Sequence, residues 1–286
     1  MWLLLAFTSA ALLGLYDTSK KAALRDNAVL PVLFLNTLFS TLIFTPFIIE
    51  TWGEGNPHAH FLVIMKSAMV LASWIFGYFG LKHLPITIVG PINATRPIMV
   101  LVGAMLIFGE RLNIYQWAGV ILAIFSLFLL SRSSKKENVD FVHNKWILCV
   151  AIAAVIGAGC GLYDKYIMQQ LSPKFVQSWY NFYQMLMMGT VVSILWYPHR
   201  KSTTPFHWSW AIPLISVFLS AADFAYLTAM HQTDSMISVV SLVRRSSVII
   251  SFLCGALIFK ERNLKAKALD LAFILAGMFF IWLGSR

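Results

Sequence analysis

The segment from Ser235 to Phe259 limits the possible folds of this chain more than any other. It is a run of about 25 mostly apolar residues, and a helix needs about 20 such residues to cross a bilayer. Arg244 and Arg245 lie near its middle, about 14 Å from Ser235 along a helix. An arginine at the centre of a membrane helix costs roughly 2.5–3.5 kcal/mol. Such a residue needs a partner, water or a ligand, and usually marks a pathway or a binding site.

A third arginine, Arg96, lies within another apolar run, from Val89 to Phe108. Together the three arginines would cost about 7–10 kcal/mol if nothing compensated them. The composition agrees with a membrane protein, because 59% of residues are hydrophobic and only 12% are charged, against about 25% charged in soluble domains. The sequence therefore predicts an all-α polytopic membrane protein, and its intramembrane charges favour a transporter.

Several other classes of protein lack support in the sequence. The net charge of +10 does not indicate nucleic-acid binding, because the basic residues are spread over short loops. The cysteines and histidines lack ligand spacing, so neither a metal nor a cofactor is expected. There is no P-loop, HExxH or nucleophile elbow, so we expect neither an ATP-driven pump nor an enzyme. The first apolar run lacks a basic n-region and a cleavage site, which predicts a retained helix.

Ten apolar runs are predicted to span the membrane: Trp2–Ser19, Leu30–Ile49, Phe61–Leu81, Pro85–Phe108, Ile114–Ser131, Lys145–Tyr166, Phe175–Tyr197, Trp208–Met230, Ser235–Phe259 and Ala266–Leu283. The polar segment that follows the fifth run has no hydrophobic period and predicts a linker. It divides the chain into a first half, 1–132, a linker, 133–144, and a second half, 145–286.

The two halves resemble each other. The sequence Gly-Leu-Tyr-Asp at 14–17 recurs at 161–164, and an ordered series of further matches follows: Asn36 with Asn181, Tyr78 with Tyr226, His83 with His231, Leu106–Arg111 with Leu257–Arg262, and Ile121–Ala123 with Ile274–Ala276. The number of residues that separates two matched positions is 147 and 145 for the first matches and rises to 153 for the last. One duplication followed by small insertions predicts such a slow increase.

Five spans per copy is an odd number, so the second copy must enter the membrane from the opposite side. This predicts two inverted five-helix repeats, with a binding site near the midplane and alternating access around it. Fourteen loop basic residues follow odd-numbered spans and five lie on the other side. The positive-inside rule then predicts that both termini lie outside.

These features resemble the EamA-type members of the drug/metabolite transporter superfamily over nearly the whole chain. The resemblance rests on Pro97, on LIFGERLNIYQWAGVILA from Leu106 to Ala123 with its Glu110, Gln116 and Gly119 spacing, and on RRSSVIISFLCGALIFKER from Arg244 to Arg262. It implies ten spans in an inverted repeat, a cavity between the third, fourth, eighth and ninth spans, and gates in the first and sixth. It also implies cytoplasmic termini, against the charge count, so the orientation stays open.

A second similarity concerns the substrate. Plastid triose-phosphate translocators carry a basic residue on the fourth span and a basic pair on the ninth, where Arg96 and Arg244–Arg245 fall here. Amino-acid exporters of the EamA type more often carry a proline and neutral residues in the ninth span.

Candidate site residues follow from charge, polarity and position. A guanidinium can clamp a carboxylate or phosphate with two hydrogen bonds, and Asp223 is the one clearly mid-membrane acid, either a counter-ion for Arg244 or Arg245 or a proton-coupling group. The candidate substrate-binding residues are Arg96, Arg244, Arg245, Asp223, Asn93, Tyr78, Tyr226, Asn181 and Trp179. The candidate gating or coupling residues are Tyr16, Asp17, Tyr163 and Asp164.

The leading hypothesis is a secondary transporter of a small polar metabolite with a carboxylate or phosphate ester, driven by exchange or proton coupling. The main alternative is an exporter or importer of amino acids or similar molecules, in which Asp223 holds the amino group. A third class, an intramembrane enzyme or lipid-handling protein, would need an acid/base cluster that the sequence does not offer. The expected partners are the substrate, the bilayer, and protons or a counter-substrate, with the protein a monomer or homodimer in a bacterial inner membrane.

Overall fold

The computed structural model describes residues 2–96, 98–99, 113–135, 143–168, 170–200, 204–231, 243–244, 246–260 and 264–284. Within these ranges the chain forms helices joined by turns, and no strand occurs in them. The helices are α1 (Trp2–Leu24), α2 (Val29–Glu50), α3 (Pro57–His83), α4 (Ile86–Ala94), α5 (Ile114–Lys135), α6 (Lys145–Met168), α7 (Pro173–Val191, continued by a π-helical turn at Val192–Trp196), α8 (Ala211–His231), α9 (Ser247–Leu257) and α10 (Leu264–Gly284).

Four segments of the described chain are long and apolar enough to cross a membrane: Val29–Glu50, Pro57–His83, Lys145–Asp164 and Lys267–Gly284. Three shorter apolar segments lie in α5, α8 and α9. The prediction of an all-helical membrane protein is confirmed at this level.

Two of the predicted spans are interrupted at their arginines. α4 ends at Ala94, close to Arg96, where the following proline predicts a kink. α9 begins only at Ser247, within a run for which no break is predicted. The physical reason lies in the local hydrogen bonds at Thr95 and Ser246, which are described with the site. The fifth span is longer than predicted, because α5 continues to Lys135, into the segment expected to be the linker.

Proline and a polar cap fix the starts of two helices. The Asn56 side chain accepts a hydrogen bond from the Ala59 N–H (2.8 Å), and Pro57 follows it at the first helical position. The Ser172 hydroxyl accepts one from Phe175 N–H (3.3 Å), and Pro173 follows it. Each cap satisfies an otherwise unpaired N–H, and proline loses nothing there because its missing N–H would have no helical partner.

The helices of the two halves pack against each other in a regular pattern. α1 packs on α8, α3 on α6, α2 on α7, α4 on α9, and α5 on α10. Exchanging each helix with the one five places along the chain leaves this set of pairs unchanged. The core of the molecule is thus built from contacts between the halves.

Contacts at one end of the bundle define what we call the first face. Lys82 Nζ donates to the Asn27 carbonyl (2.8 Å), and His207 N–H donates to Asn27 Oδ1 (2.6 Å). The His83 ring stacks on Trp146 with centroids 3.6 Å apart. The α1–α2 turn, the end of α3, the start of α6 and the segment before α8 therefore lie together.

The opposite end is called the second face. Trp52 of the α2–α3 turn packs on Trp179 of α7 (5.7 Å between centroids), and Lys174 forms an ion pair with Glu50. Asn113 Nδ2, before α5, donates to the carbonyl of Gly284 (2.5 Å). The α2–α3 turn, the start of α7, the start of α5 and the end of α10 lie at this face.

Candidate functional site

Two matching helix breaks lie beside Arg96 and Arg244. The Thr95 N–H donates to Ile92 O (3.2 Å), as does its hydroxyl (2.7 Å). Ser246 makes the same two bonds to Val243 O, at 3.0 and 2.6 Å. Bonds to the third preceding residue tighten the chain and compete with the regular helical pattern, which gives both breaks a local cause.

Arg96 lies flat against α6. Its Nη2 donates to the Ala153 carbonyl (3.4 Å). A Cβ on Gly157 would lie only 2.8–3.0 Å from three guanidinium atoms of Arg96. Its Nε is buried and has no hydrogen-bond partner among the described residues. The guanidinium therefore keeps donor capacity after its contacts with α6 are made.

Three carboxylates around this position each form an ion pair. Asp17 pairs with Lys20 one turn along α1 (2.7 Å), and Asp164 of α6 pairs with Lys66 of α3 (2.6 Å). Asp223 of α8 pairs with Arg244, whose guanidinium also lies over the Tyr226 ring, 4.1 Å from its centroid. The structure thus brings Asp223 and Tyr226 together with Arg244.

Two buried tyrosines join these pairs into one unit. Tyr16 lies within electrostatic range of both Asp17 and Asp223, and Tyr180 within range of Asp223, Asp164 and Arg244. Arg96 lies within range of Asp17, Tyr16 and Cys160. The unit, here called the central charge cluster, comprises Tyr16, Asp17, Lys20, Lys66, Arg96, Asp164, Tyr180, Asp223 and Arg244.

The central charge cluster carries one more positive than negative charge in ordinary ionised forms. Its three acids each have a basic partner. Arg96 is the fourth basic residue, and no carboxylate of the described chain lies within salt-bridge distance of it. The described part of the cluster therefore has one positive charge that no carboxylate contacts.

A hydrogen-bonded chain leads from Tyr78, next to the cluster, to α2 and α8. Tyr78 also interacts electrostatically with Tyr16. The Asn36 amide donates to Tyr78 Oη (3.2 Å), and Ser216 Oγ donates to Asn36 Oδ1 (3.0 Å). Tyr78 is thereby held beside Lys20, whose Nζ lies 5.2 Å from its ring centroid.

The other candidates from the sequence form none of the ion pairs of the central charge cluster. Trp179 belongs to an aromatic cluster near the second face with His60 and Tyr183, whose hydroxyl contacts His60 Nδ1 (2.9 Å). The Tyr163 hydroxyl donates to the carbonyl of Leu62 (3.2 Å). Asn93 Oδ1 is buried, and no described residue bonds it. Asn181 follows Tyr180 on α7.

The second residue of the predicted pair, Arg245, lies outside the described residues. So do Pro97 and the Glu110–Arg111 and Glu261–Arg262 dipeptides on which the resemblance partly rests.

The charge count wrongly assigned several lysines to loops, among them Lys20 of α1 and two fully or nearly buried lysines. Lys66 is buried in α3, where it pairs with Asp164, and Lys267 is fully buried in α10, where it donates to Thr87 Oγ1 (2.9 Å). Both lie inside apolar stretches, and this position was the signal that could have revealed them. Gly157 was also missed, because nothing local in the sequence relates it to Arg96.

The described residues include no group of three or more histidine, cysteine, aspartate or glutamate side chains arranged to hold a metal ion.

Comparison with known proteins agrees with this architecture. The model of the EamA-like transporter family matches residues 1–132 and 144–283. No protein of curated function matches the sequence. Among 22 matching solved chains, one titled only "Crystal structure of protein" superposes with a TM-score of 0.65 and 17% identity, over 98% of this chain and 95% of the other. At that identity the likeness establishes the fold alone.

The apolar helices and the buried charges between them define an integral membrane protein of the transporter class. The chain belongs to the EamA-like transporter family of the drug/metabolite transporter superfamily. The resemblance seen in the sequence is therefore confirmed.

Proposed function

We propose that this protein is a secondary active transporter of a small polar metabolite bearing a carboxylate or a phosphate ester. The observation that carries the proposal is the charge balance of the central charge cluster, in which Arg96 alone has no carboxylate partner among the described residues. A buried cation without a counter-ion is costly, and an anionic solute would supply the missing charge. The planar guanidinium suits bidentate binding of either group.

The main alternative, an amino-acid carrier, needs a carboxylate that is available to an ammonium group. Asp223 was the candidate for this role, but it is paired with Arg244. Asp17 and Asp164 are likewise paired with lysines. An anionic solute without an amino group therefore fits the cluster better.

The transport mechanism we propose is alternating access between two inverted five-helix repeats. Two sets of contacts support it. The helix pairs are unchanged when the halves are exchanged. In addition, α1 ends at the first face, where Lys21 Nζ donates to Leu81 O (2.7 Å), whereas its counterpart α6 begins there, beside His83. Interrupted helices at the substrate position are also typical of such transporters.

The ion pairs Asp17–Lys20 and Asp164–Lys66 are proposed as gates. Asp17 lies in the part of α1 that leads to the first face, and Asp164 in the part of α6 that leads to the second. Arg96 contacts the middle of α6 between these levels. Alternate opening of the two pairs would expose Arg96 to one side at a time, with exchange or proton coupling at Asp223 as the driving step.

The proposal includes a bacterial inner membrane as the location and a monomer or homodimer as the assembly. The substrate, the bilayer and either protons or a counter-substrate are the expected partners.

Thermal stabilisation of the purified protein by a panel of carboxylates, phosphate esters and zwitterions tests the substrate class. A ligand at a hundredfold excess over its Kd raises apparent stability by about 2.7 kcal/mol. Carboxylates or phosphate esters should stabilise the wild type but not Arg96→Gln. Stabilisation by zwitterions alone, or equal stabilisation of the variant by anions, would contradict the proposal.

A further inference from the structure

Neutral polar side chains form a second feature beside the central charge cluster. Asn181 Nδ2, both amide atoms of Gln184, Ser40 Oγ and Ser220 Oγ are buried without a hydrogen-bond partner among the described residues. The exposed fractions of Asn181, Gln184, Ser40 and Ser220 are 2%, 0%, 2% and 6%. Buried polar atoms in proteins are nearly always bonded, so five unpaired atoms on three adjoining helices indicate a place where a solute supplies the bonds.

The two serines lie on facing sides of α2 and α8. These helices run parallel, since both begin at the first face, where Ala28 N–H donates to Pro205 O (3.3 Å). Ser216 of α8 contacts Asn36 of α2 through two hydrogen bonds, of 3.1 and 3.0 Å. Ser40 and Ser220 each follow this contact by four residues. Because residues four apart share a helix face, their hydroxyls continue the same interface toward the second face.

The two amides lie on the stretch of α7 that faces α2. Thr41 Oγ1, next to Ser40, donates to the Asn181 carbonyl (3.0 Å). Further along α7, a Cβ on Gly189 would lie 3.4 Å from the Phe34 ring. Gln184 lies between these two contacts, so its level on the bundle is that of residues 36–40 of α2.

In the first half of the chain, the amide that corresponds to Asn181 has hydrogen-bond partners within the protein. Asn36 is the counterpart of Asn181 in the internal repeat, and its amide is bonded by Tyr78 and Ser216. The counterpart of Tyr78 is Tyr226, which is covered by the Arg244 guanidinium instead. The Asn181 amide is therefore left with donor capacity at the position where Asn36 is satisfied.

We propose that Asn181, Gln184, Ser40 and Ser220 form a neutral hydrogen-bonding subsite for the hydroxyl-bearing part of the transported anion. This inference rests on the proposed function and narrows it to hydroxylated organic anions, such as hydroxy acids or polyol phosphates. Amides and hydroxyls each donate and accept, as do the hydroxyls of a polyol. Asn181 directly follows Tyr180, a member of the central charge cluster, so the neutral subsite adjoins the charged one.

Two matched pairs of probes test the subsite: propionate against glycerate, and propyl phosphate against glycerol 3-phosphate. Within each pair the charged group is the same and only the hydroxyls differ. In thermal titrations of the wild type, the hydroxylated member should bind at least about tenfold more tightly, since sites built to bond a hydroxyl reject analogues that lack it. Equal affinities within both pairs would overturn the inference.

Substitutions at the four residues test whether they cause the preference for hydroxylated probes. Gln184→Met and Asn181→Leu should reduce the preference for hydroxylated probes below about threefold, because they remove hydrogen bonds that propionate and propyl phosphate do not make. The double variant Ser40→Ala, Ser220→Ala removes only two oxygens and provides the same test if the amide variants fail to fold. Thr190→Val is the matched control, because Thr190 is exposed on α7 and bonds only its own helix.

The outcomes separate this inference from the proposed function. Arg96→Gln should weaken all four probes alike, whereas the subsite variants weaken only the hydroxylated ones. A preference for hydroxylated probes that survives in every subsite variant would overturn the subsite while leaving the anion proposal intact. Failure of all four probes to bind the wild type would contradict both.

Discussion

Arg96 is positioned by a residue that has no side chain. The guanidinium occupies the space that a Cβ on Gly157 would need, with three of its atoms within 3.0 Å of that point. A glycine in the middle of a helix costs roughly 0.5–1 kcal/mol relative to alanine, so its presence here requires a reason. Contact with Arg96 supplies one.

Gly157→Ala should therefore displace Arg96 and abolish stabilisation by anions while the protein remains folded. Gly159→Ala is a matched control on the same helix, because its Cβ would meet only Met69 Cε at an ordinary 3.7 Å. Replacing glycine by alanine raises the helix propensity equally in the two variants. Ligand titration of the two variants checks the prediction, and anion binding by Gly157→Ala at wild-type affinity would be inconsistent with it.

Asp223 and Arg244 should behave as a coupled pair. Asp223→Asn leaves Arg244 without its carboxylate, which costs roughly 3–5 kcal/mol for a fully buried pair. About 1–3 kcal/mol is expected here, because the side chains are 15% and 18% exposed and water screens them in part. Adding Arg244→Gln should restore part of the loss. Unfolding of both single variants and the double variant measures the coupling, and additive losses would exclude it.

Individual residues differ in how far the sequence could predict them. Arg96, Arg244 and Asp223 stand out because a charge within an apolar run needs compensation. The partner of Asp223 was narrowed to two arginines, and the structure supplies the contact with Arg244. Lys66 was overlooked because counting loop charges assigned it to a loop. Gly157 could not be found, since its role depends on a contact between Arg96 and α6 that no local pattern records.

At the scale of helices, turns at the first face join elements that are far apart in the chain. Asn27 of the α1–α2 turn accepts from His207 through its side chain and from Lys82 through its carbonyl. Its amide also donates to Ala23 O (3.0 Å). The Asn27 side chain thus connects the α1–α2 turn to the segment before α8.

Asn27→Ala should lower the stability by about 0.5–1.5 kcal/mol, because the hydrogen bond from the His207 N–H to the buried Asn27 side chain is lost. Asp26→Ala serves as the control, since Asp26 is the exposed neighbour in the same turn. Thermal unfolding of both variants provides the comparison. Equal melting temperatures for the two variants would show that the turn does not hold these elements together.

The helices themselves were largely predictable, and so was a kink before Pro97, but the break beside Arg244 was not. Long apolar runs predict the bounds of α2, α3 and α6 to within a few residues. The run around Arg244 looked continuous because its composition is apolar on both sides. The breaks beside both arginines involve hydroxyl bonds from Thr95 and Ser246 to the third preceding carbonyl, and such residues also occur inside regular helices.

At the scale of the whole molecule, the internal repeat predicts that equivalent turns lie on opposite sides of the membrane. The α1–α2 turn and the α6–α7 turn are equivalent in the repeat. Asp26 and Gln170 are exposed residues within them. Asp26→Cys and Gln170→Cys, each in a chain whose native cysteines are replaced, should react with an impermeant thiol reagent from opposite sides.

Labelling of intact cells would settle the orientation as well. Most of the loop basic residues follow odd-numbered spans, as the α1–α2 turn at the first face does, so the positive-inside rule places this face in the cytoplasm. Gln170→Cys should then be labelled from outside, and Asp26→Cys only after permeabilisation. The opposite result would agree with cytoplasmic termini, which the family resemblance implies. Labelling of both cysteines from the same side would contradict the inverted repeat.

The division into halves remains a prediction from the repeat, whereas family membership is established by the match over both halves. The sequence could indicate a charged, membrane-embedded site because three arginines needed compensation. It could not indicate which arginine lacks a carboxylate partner among the described residues. That depends on which carboxylates pair with which bases across helices, as in Asp164 with Lys66.

Exchange transport by the purified protein in liposomes tests the central claim most directly. The vesicles would be loaded with the carboxylate or phosphate ester that stabilises the protein most, and uptake of the labelled compound would be followed. Lys174→Gln is the matched control, because it removes a positive charge at the second face, where Lys174 pairs with Glu50. The account predicts that Arg96→Gln abolishes exchange while Lys174→Gln retains it. Exchange by Arg96→Gln at the wild-type rate would contradict the account.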